Sequence, residues 1–456
     1  MSDVTFGTDG VRGVAGRSPM RAEDAFALGV AATDARRAAL GAAPRWVMGR
    51  DTRHSGDMLA HAFAAGAMAR GGQVLDAGVL PTPAVAFLVR HEGADGGVVV
   101  SASHNPFEDN GIKLFGPGGA KLADAEEADV EARLRARGTP GGADGAADDA
   151  APTGAAIGRR TALDGADPYL AFLLEHAPYL DGARVAVDAA HGAASALVRP
   201  TFERLGARLA ALHVDPDGVN INVACGSTHP DALRRHVLEG GFEVGIALDG
   251  DADRALLVDA KGRIVTGDHV LAILARVRGD REVVGTVMSN LGIERWLAER
   301  GVTMHRTQVG DRYVRDALVA RDLRLGGEPS GHVLMLDVAP TGDGLLTALR
   351  TLAAVRASGA PLEAWMDAIP VYPQTLRSVD VPAGRKADLA RDAAVLAAVA
   401  DAEATLGDDG RVNLRPSGTE ARLRVMVEGR DDAQVHALAD AVADAIRRAA
   451  AAPAVG

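Results

Sequence analysis

Three aspartates alternate along the stretch GIALDGDADRALLVD, at positions 249, 251 and 253. They follow an apolar run with the character of a strand, so a bend there would turn three carboxylates toward one hard cation. Oxygen ligands on a short loop, with room left for phosphate and water, suit Mg²⁺. An EF-hand is excluded, because its sixth and twelfth loop positions, counted from Asp249, are Arg254 and Ala260 instead of glycine and glutamate. Without a cation, three adjacent carboxylates would repel one another.

A serine, a histidine and an asparagine stand side by side in VVVSASHNPFEDNGIK. Neighbouring extended residues point to opposite sides, so we expect Ser103 and His104 not to form a protease-like dyad. The G-x-S-x-G elbow of esterases is also missing. Taken alone, the stretch is equally compatible with a turn in which Ser103 or Asn105 caps a helix and Pro106 fixes the backbone.

The stretch LGGEPSGHVL combines a carboxylate, a hydroxyl and an imidazole on a glycine-rich loop. Glu328, Ser330 and His332 are groups suited to reading vicinal sugar hydroxyls, and the glycines allow the tight turn that presents them together. A surface loop with a hydrogen-bonded histidine is the alternative interpretation.

The stretch NLRPSGTEARLRV offers several donors to an oxyanion. Arg415 and Arg424 supply charge-assisted donors, Ser417 and Thr419 supply hydroxyls, and Gly418 lets a backbone N–H approach closely. We interpret the stretch as a phosphate-binding loop, with an ordinary hairpin turn as the alternative.

These loops need a scaffold, and the chain of 456 residues is long enough for three or four domains. Short β-rich runs alternate with alanine-rich helical patterns, which predicts α/β domains with mixed or parallel sheets. A Gly/Ala/Pro/Asp-rich segment over 136–160 predicts a linker. After about residue 369 the pattern becomes strand, helix, two strands and helix, which predicts an α+β domain. The predicted α/β architecture has four domains around a central cleft, at 1–157, 158–253, 254–368 and 369–456.

The formal charge is -12 and no long basic run stands out, which argues against nucleic-acid binding. Cys225 is the only cysteine, so an intrachain disulfide is excluded and a reducing cytoplasm is the expected location. The sequence MSDVTFGTDG lacks the features of a signal peptide, and no apolar run reaches membrane length. We therefore expect a soluble cytoplasmic protein without membrane partners.

Five motifs occur together in one order: FGTDGVRG, SASHNPFEDNGIK, DGDADR, GGEPSGH and RPSGTE. In order, spacing and context they resemble the α-D-phosphohexomutase family over nearly the whole chain. Within the family, NINVACGSTHP and VGDRYV are similar to members that act on glucosamine phosphates. The resemblance implies a four-domain, heart-shaped enzyme that interconverts glucosamine 6-phosphate and glucosamine 1-phosphate. The product would feed UDP-N-acetylglucosamine and cell-wall synthesis.

The resemblance also implies roles for individual residues. Ser103 matches a serine that the family carries as phosphoserine, and one Mg²⁺ would be held by Asp249, Asp251, Asp253 and an oxygen of that phosphoserine. The phosphoryl group would pass through a sugar 1,6-bisphosphate, which serves as intermediate or activator. The other implied positions are the basic reaction-centre residues Arg12, Lys113 and Arg254, the hydroxyl readers Glu328 and Ser330, and the phosphate loop Arg415, Ser417, Gly418, Thr419 and Arg424.

The general acid/base is not assigned, and Lys113 and His332 are both candidates. Three other functions stay open. One is a phosphoglucomutase or phosphomannomutase. Another is a Mg²⁺-dependent phosphatase with Asp249 as nucleophile, although the Thr or Val usual after such a D-x-D motif is replaced by Asp253-Arg254. The third is a sugar-phosphate sensor without turnover. The expected partner is a small sugar phosphate, and a homodimer is left open.

Overall fold

In the computed structural model the chain folds into four successive β-sheets flanked by helices. The structure describes residues 4–7, 9–137, 151–382, 384–417 and 420–451. Three sheets contain parallel and antiparallel pairs, and the last is antiparallel throughout. The predicted class, three mixed α/β sheets followed by an α+β domain, is confirmed.

The first sheet combines parallel strands with an antiparallel edge. Its strands are β1 (Val11–Val14), β2 (Arg45–Arg50), β3 (Gln73–Val79), β4 (Gly96–Val100), β5 (Asp109–Phe115) and β6 (Arg160–Ala162). Its helices are α1 (Ala22–Leu40), α2 (Gly56–Ala69), α3 (Thr82–His91) and α4 (Asp124–Arg137). The strand order is β1-β5-β4-β2-β3-β6, in which β5 is antiparallel to both of its neighbours. The loop that joins β4 to β5 carries Ser103.

The second sheet carries the aspartates. Its strands are β7 (Arg184–Asp188), β8 (Arg208–Leu212), β9 (Val244–Leu248), β10 (Ala255–Asp259) and β11 (Ile264–Val265). Its helices are α5 (Ala166–Glu175), α6 (Ser195–Arg204) and α7 (Asp231–Gly240). The strand order is β11-β10-β9-β7-β8, with β9 and β10 forming an antiparallel hairpin. The turn of this hairpin contains the three aspartates.

The third and fourth sheets carry the remaining loops. The third has strands β12 (Glu282–Thr286), β13 (Thr303–Thr307), β14 (Leu325–Gly327) and β15 (Val333–Met335), with helices α8 (Gly267–Arg278), α9 (Leu291–Ala298), α10 (Asp311–Ala320), α11 (Gly344–Ser358) and α12 (Leu362–Ala368). The fourth has strands β16 (Gln374–Asp380), β17 (Arg411–Pro416) and β18 (Arg422–Glu428), with helices α13 (Lys386–Leu389), α14 (Ala393–Leu406) and α15 (Asp432–Ala451).

The first two domain boundaries differ from the predicted positions. The boundary expected at Asp253 falls inside the β9–β10 hairpin, whose strands pair from Leu248 with Ala255 outward, so it cannot separate two domains. The boundary expected at residue 157 also falls too early, because β6 pairs in parallel with β3 of the first sheet. Of the predicted linker, residues 138–150 lie outside the described part of the chain. We place the second boundary after β11, where the last strand of the second sheet ends.

Buried apolar side chains form one continuous core through the first three sheets. It includes Val47 and Val99 of the first sheet, Val187 and Leu248 of the second, and Val283 of the third. A second cluster covers the other face of the first sheet, and the fourth sheet has a core of its own that runs from Val379 to Ile446. The first three sheets are therefore packed together, whereas the fourth folds around a separate core.

A buried carboxylate helps to join the second and third domains. Asp343 caps α11, where its side chain accepts a hydrogen bond from the backbone N–H of Leu346 at 2.9 Å. The hydroxyl of Tyr169 on α5 donates to the same carboxylate at 2.8 Å. Burial raises the pKa of Asp343 to about 6.

Within the described residues, no helix combines the length and apolar character needed to cross a membrane.

Two glycines allow α1 and α2 to approach each other closely. A Cβ atom added at Gly29 would lie 2.2 Å from the carbonyl oxygen of Phe63, and one added at Gly66 would lie 2.1 Å from that of Phe26. Each glycine thus faces the backbone of the opposite helix, and even a methyl group would push the helices apart.

We predict that Gly66→Ala destabilises the first domain. The methyl group gains about 1 kcal/mol of helix propensity, but its overlap with the Phe26 carbonyl costs about 1–3 kcal/mol or more. The expected result is a lower melting temperature in scanning calorimetry. Ala65→Gln, at the exposed neighbouring position of the same helix, is the matched control and should melt like the parent chain. Equal melting of Gly66→Ala and the parent would contradict the proposed packing.

Candidate active site

The three predicted aspartates meet in one buried cluster. Asp249, Asp251 and Asp253 each place a carboxylate oxygen within 4.8 Å of the others, and all three side chains are buried. Within the described residues, one oxygen of Asp251 and one of Asp253, both Oδ1, have no hydrogen-bond partner. Buried acceptors without partners are costly, and a hard cation would use their free lone pairs. The cluster therefore fits a divalent cation with oxygen ligands.

Ser103 lies directly against this cluster. It follows β4 in a left-handed backbone conformation with φ of 52°, and it is fully buried. Its Oγ donates a hydrogen bond to Oδ2 of Asp249 at 2.6 Å. A Cβ atom added at Gly250 would lie 2.5 Å from the Ser103 carbonyl oxygen, so the aspartate turn needs glycine there. The serine loop and the aspartate loop thus form a single site.

His104 is closer to Ser103 than the sequence led us to expect. Its Nδ1 lies 3.3 Å from Ser103 Oγ. The expectation that the two side chains point apart assumed an extended backbone, and the left-handed conformation of Ser103 turns them to the same side. Burial, together with the charges of Arg254 and Arg12, lowers the pKa of His104 to about 4. The imidazole is therefore neutral at neutral pH.

Two side chains that the sequence interpretation missed, Arg53 and Asn222, donate hydrogen bonds to backbone carbonyls of the serine loop. The guanidinium of Arg53 donates to the carbonyl oxygens of Ser103 at 2.9 Å and Asn105 at 2.8 Å, and its Nε donates to Asp51 at 2.8 Å. The side-chain amide of Asn222 donates to the same two carbonyls at 2.9 and 3.1 Å. The available signal was the D-x-R spacing of Asp51 and Arg53 just after an apolar strand.

Lys113 reaches the aspartates from β5. Its Nζ lies 2.8 Å from Asp251, 3.0 Å from Asp9 and 3.5 Å from Asp253. Burial opposes its charge, but the carboxylates of Asp251, Asp9 and Asp253 outweigh burial and raise the pKa of Lys113. The amine therefore stays protonated. This arrangement favours a role in balancing charge and argues against Lys113 as the general base.

Arg12 and Arg254 add cationic donors at the same place. Arg12 forms an ion pair with Asp9, and Arg254 donates its backbone N–H to Asp249 Oδ1 at 3.2 Å. Burial opposes ionisation of Arg254, but Asp253 and Asp249 outweigh it and raise the pKa of Arg254. Both guanidinium groups keep a buried Nε without a hydrogen-bond partner among the described residues. These free donors suit an incoming anion.

The GGEPSGH loop packs against the aspartate turn. Gly331 has φ of 92°, and a Cβ atom there would lie 2.2 Å from the carbonyl oxygen of Ala255. Glu328 accepts a hydrogen bond from the backbone N–H of Gly310 at 2.9 Å, while Ser330 is half-buried. This close contact brings both predicted hydroxyl readers to the third-domain side of the cluster.

His332 is buried between two carboxylates. Its Nδ1 lies 3.7 Å from Asp253, and its Nε2 lies 3.6 Å from Asp311. Burial lowers its basicity, but Asp253 and Asp311 outweigh burial and raise the pKa of His332. The alternative of a surface-loop histidine is therefore wrong.

Asp9 and Lys121 extend this charge network, and the sequence interpretation missed both. Lys121 forms ion pairs with Asp9 and, at 2.5 Å, with Asp311. Burial opposes ionisation of Asp9, but Lys113, Lys121 and Arg12 outweigh it and hold the pKa of Asp9 well below its usual range. The alternating charges connect the first domain to the start of α10 in the third.

The predicted phosphate loop is built differently from the other three. Arg415 of β17 lies directly opposite Arg424 of β18. Burial, and then the charge of Arg424, lowers the pKa of Arg415. Ser417 is buried, whereas Gly418 and Thr419 lie outside the described residues. Among the described contacts, no hydrogen bond or ion pair joins Arg415, Ser417 or Arg424 to the serine or aspartate loops.

Two like charges facing each other across a strand pair destabilise the sheet unless an anion lies between them. Arg424 already donates to the carboxylate of Glu420 at 3.1 Å, which offsets part of this repulsion. Its Nε atom is buried and has no hydrogen-bond partner among the described residues. The pair therefore keeps a donor that fits an anion such as a phosphate group.

Comparison with known proteins gives one family over most of the chain. Four family models described as phosphoglucomutase/phosphomannomutase match in order: alpha/beta/alpha domain I at residues 3–140, domain II at 167–262, domain III at 266–372 and the C-terminal domain at 378–445. The phosphoglucosamine mutase of Deinococcus radiodurans is 52% identical over 448 residues, which cover 98% of each chain. A phosphoglucosamine mutase of Thermus thermophilus is 48% identical over 430 residues and covers 94% of each chain.

Solved structures share the fold. A phosphoglucomutase/phosphomannomutase family protein from Burkholderia thailandensis superposes with a TM-score of 0.80 at 25% identity, covering 98% of both chains. The N-acetylphosphoglucosamine mutase of Aspergillus fumigatus, solved in complex with GlcNAc-6P and magnesium, superposes with a TM-score of 0.69 at 18% identity. It covers 98% of this chain and 96% of that one.

We predict that Arg53→Lys loosens the serine loop without unfolding the domain. Lysine keeps the charge beside Asp51 but cannot reproduce the planar fork that reaches several carbonyls. Losing these hydrogen bonds should make local opening easier by about 1–3 kcal/mol. Hydrogen–deuterium exchange of peptides covering residues 101–111 should therefore be faster. Arg45→Lys, where the arginine is exposed, is the matched control, and unchanged exchange in Arg53→Lys would contradict this account.

Proposed function

The chain belongs to the phosphoglucomutase/phosphomannomutase family, and from that premise we propose that it is a phosphoglucosamine mutase. It interconverts glucosamine 6-phosphate and glucosamine 1-phosphate, as an isomerase that moves a phosphoryl group between two oxygens of one sugar. The observation that carries the proposal is the 2.6 Å hydrogen bond between Ser103 Oγ and a carboxylate of the buried aspartate cluster. It puts a nucleophilic oxygen next to a candidate cation site, which is what phosphoryl transfer requires. The near full-length relatives that carry this name support the choice of substrate.

We propose that Ser103 carries the phosphoryl group as phosphoserine. In the first half of the reaction, a free sugar hydroxyl attacks phosphorus and gives its proton to a base, the bond from phosphorus to Ser103 Oγ breaks, and Ser103 Oγ takes up a proton. This gives a sugar 1,6-bisphosphate and a free serine. In the second half, Ser103 Oγ attacks the other phosphate and gives its proton to a base. The bond from that phosphorus to the sugar oxygen breaks, and the sugar oxygen takes up a proton to become the free hydroxyl of the product. No phosphate is gained or lost in the complete cycle.

His104 is proposed to handle the proton on Ser103. Its neutral imidazole lies 3.3 Å from Ser103 Oγ. The hydroxyl donates to Asp249 in this structure, so it would rotate toward Nδ1 to give up its proton when the serine attacks. It therefore replaces Lys113 and His332, the two candidates suggested by the sequence. Lys113 is paired with three aspartates, and His332 is enclosed between Asp253 and Asp311.

We propose that Asp249, Asp251, Asp253 and an oxygen of the modified Ser103 hold one Mg²⁺. The donor set fits, since it contains only oxygens and leaves two buried oxygens without partners among the described residues. When bound, the ion neutralises negative charge on the phosphoryl oxygens as the group moves. Arg12 and Arg254 add donors with unused N–H groups on the same side, and Lys113 limits the repulsion among the carboxylates.

The bisphosphate must turn over before the second half of the reaction, so a second site has to hold either of its phosphates. We propose that Arg415 and Arg424, with Ser417, Gly418 and Thr419, form that site. Arginine recognises the phosphate group and not the sugar to which it is attached. The site can therefore bind the bisphosphate in both of its orientations. Glu328 and Ser330 are proposed to form hydrogen bonds with the sugar hydroxyls. A homodimer and a cytoplasmic location are retained as predictions, and light scattering tests the first.

A coupled assay with glucosamine, glucose and mannose 6-phosphates tests the function, after activation by a hexose 1,6-bisphosphate. We expect kcat/KM for glucosamine 6-phosphate to exceed the other two by at least roughly tenfold, because a site that hydrogen-bonds the amine leaves groups unpaired without it. A preference for glucose or mannose would overturn the substrate. Release of inorganic phosphate at the rate of substrate loss would instead identify a phosphatase.

We predict that Ser103→Ala abolishes turnover while leaving the fold intact, because it removes the oxygen that carries the phosphoryl group. The loss should exceed about 10³-fold, as for other residues that form the covalent intermediate. Intact mass and phosphopeptide mapping should find one phosphate on Ser103 in the parent chain and none in the variant. Ser101→Ala is not a suitable control, since Ser101 supports the loop, so the exposed Ser358→Ala serves instead. Phosphate on any other residue of the active parent would contradict the mechanism.

We predict that metal removal stops turnover reversibly. Chelation should abolish activity, and added Mg²⁺ should restore it. Asp251→Asn should raise the Mg²⁺ concentration needed for half-maximal activity by at least about tenfold, since it removes a charged ligand. Asp316→Asn, an exposed aspartate of α10, should need the same Mg²⁺ concentration as the parent. Full activity after complete chelation would contradict the metal assignment.

A further inference from the structure

A second cluster of metal-ligating side chains lies in the second domain, apart from the three aspartates. Asp188 ends β7, His213 follows β8, and Cys225 lies in the long segment before α7. β7 and β8 are parallel neighbours, so their carboxyl ends reach the same edge of the sheet. The ligand atoms of the three residues all lie within 4.8 Å of one another. Three separate parts of the chain thus bring a carboxylate, an imidazole and a thiol together.

We propose that Asp188, His213 and Cys225 form a binding site for a transition-metal ion of the Zn²⁺ class. Mixed oxygen, nitrogen and sulfur donors suit such an ion, whereas Mg²⁺ does not take sulfur ligands. The oxygen-only aspartate cluster has the opposite preference. The chain therefore has two cation sites of different chemical character, and three protein ligands leave a fourth position open for water.

The orientation of the Asp188 carboxylate is already fixed by hydrogen bonds, as that of a metal ligand usually is. Oδ1 of Asp188 accepts a hydrogen bond from the backbone N–H of Ala190, and Oδ2 accepts one from that of Gly226, both at 2.9 Å. Such outer contacts orient a ligand and hold its free lone pair in place. Asp188 is fully buried, so an ion would find this group preorganised.

The imidazole faces the carboxylate without completing a normal hydrogen bond. His213 Nδ1 lies 3.0 Å from Asp188 Oδ2, the distance of an ion pair when the imidazole is protonated, although the angles fall short of a normal hydrogen bond. A metal ion bound to both atoms would use the lone pairs that this alignment leaves. The side chain of His213 is 28% exposed, which provides a path for the ion to enter.

Charge balance is also satisfied with a divalent ion. A carboxylate and a thiolate supply two negative charges beside a neutral imidazole, and one divalent cation neutralises them in a buried place. The ion takes the place of the thiol proton and of any proton on His213 Nδ1.

The site is connected to the serine loop through the chain segment between two of its ligands. Asn222 lies between His213 and Cys225, and its side-chain amide donates to the carbonyls of Ser103 and Asn105. Its backbone N–H donates to the carbonyl of Ala190 at 3.0 Å, close to Asp188 along the chain. An ion bound here would hold in place the segment that supports the serine loop from behind.

Co²⁺ titration of the full chain in excess Mg²⁺ tests the proposal, because Cys225 is the only cysteine. Any thiolate-to-cobalt charge-transfer band in the near ultraviolet therefore reports this one site. We expect the band to saturate at one equivalent and to disappear when Zn²⁺ is added. Absence of the band at saturating Co²⁺ would overturn the proposal.

Variants separate this site from the aspartate cluster. Cys225→Ser should lack the band, and His213→Gln should weaken Co²⁺ binding by more than about 100-fold, since even outer partners cost about 10–100-fold. His229→Gln, an exposed histidine of the same segment, should bind as the parent does, and so should Asp251→Asn. Circular dichroism checks that each variant is folded. Zn²⁺ binding of equal affinity in the parent and in Cys225→Ser would also overturn the proposal.

Discussion

Burying three carboxylates within 4.8 Å of one another costs free energy, and the groups around the site must offset that cost. Carboxylates in a low-dielectric place repel strongly, so they persist only where cations and donors surround them. Lys113 supplies one fixed charge from the first domain, and the free oxygens of Asp251 and Asp253 leave room for a metal ion. The same excess of negative charge requires further cations before a phosphoryl group can approach. The arginines and lysines around the cluster meet that requirement.

The rest of the fold keeps these charges in register. A continuous apolar core joins the first three sheets, so the serine loop, the aspartate loop and the GGEPSGH loop all extend from one packed body. Glycines at 250 and 331 let the loops touch, since a Cβ at either would overlap a carbonyl oxygen of the neighbouring loop. Arg53 and Asn222 then tie the carbonyls of the serine loop to the first and second domains. Because each of these contacts joins two different segments, a displacement of one loop would displace the others.

The fourth domain is joined to the rest of the chain differently from the first three domains. It has its own core, and its junction with the third domain includes polar contacts. Arg411 donates to the carbonyls of Val287 at 2.8 Å and Ser289 at 2.7 Å, and buried Glu428 accepts from the backbone N–H of Leu291 at 2.9 Å. A separate core with a polar junction is typical of a domain that is joined to its neighbour less rigidly than the first three are joined to one another.

Sequence alone determined the chemical groups and their family. The five motifs, the alternating aspartates and the strand-helix pattern were enough for the α/β class, the four-domain architecture and the residues of each loop. What it did not determine was contact between distant segments. The expected separation of Ser103 and His104 was wrong because a left-handed φ cannot be read from residue types. The boundary at Asp253 was misplaced because strand pairing placed the aspartates in the turn of a hairpin. Asp9, Arg53, Lys121 and Asn222 were missed because their roles come from hydrogen bonds and ion pairs between segments far apart in the chain. Motifs record which groups are present, whereas charge balance, burial and proton exchange depend on distances that only the packed chain fixes.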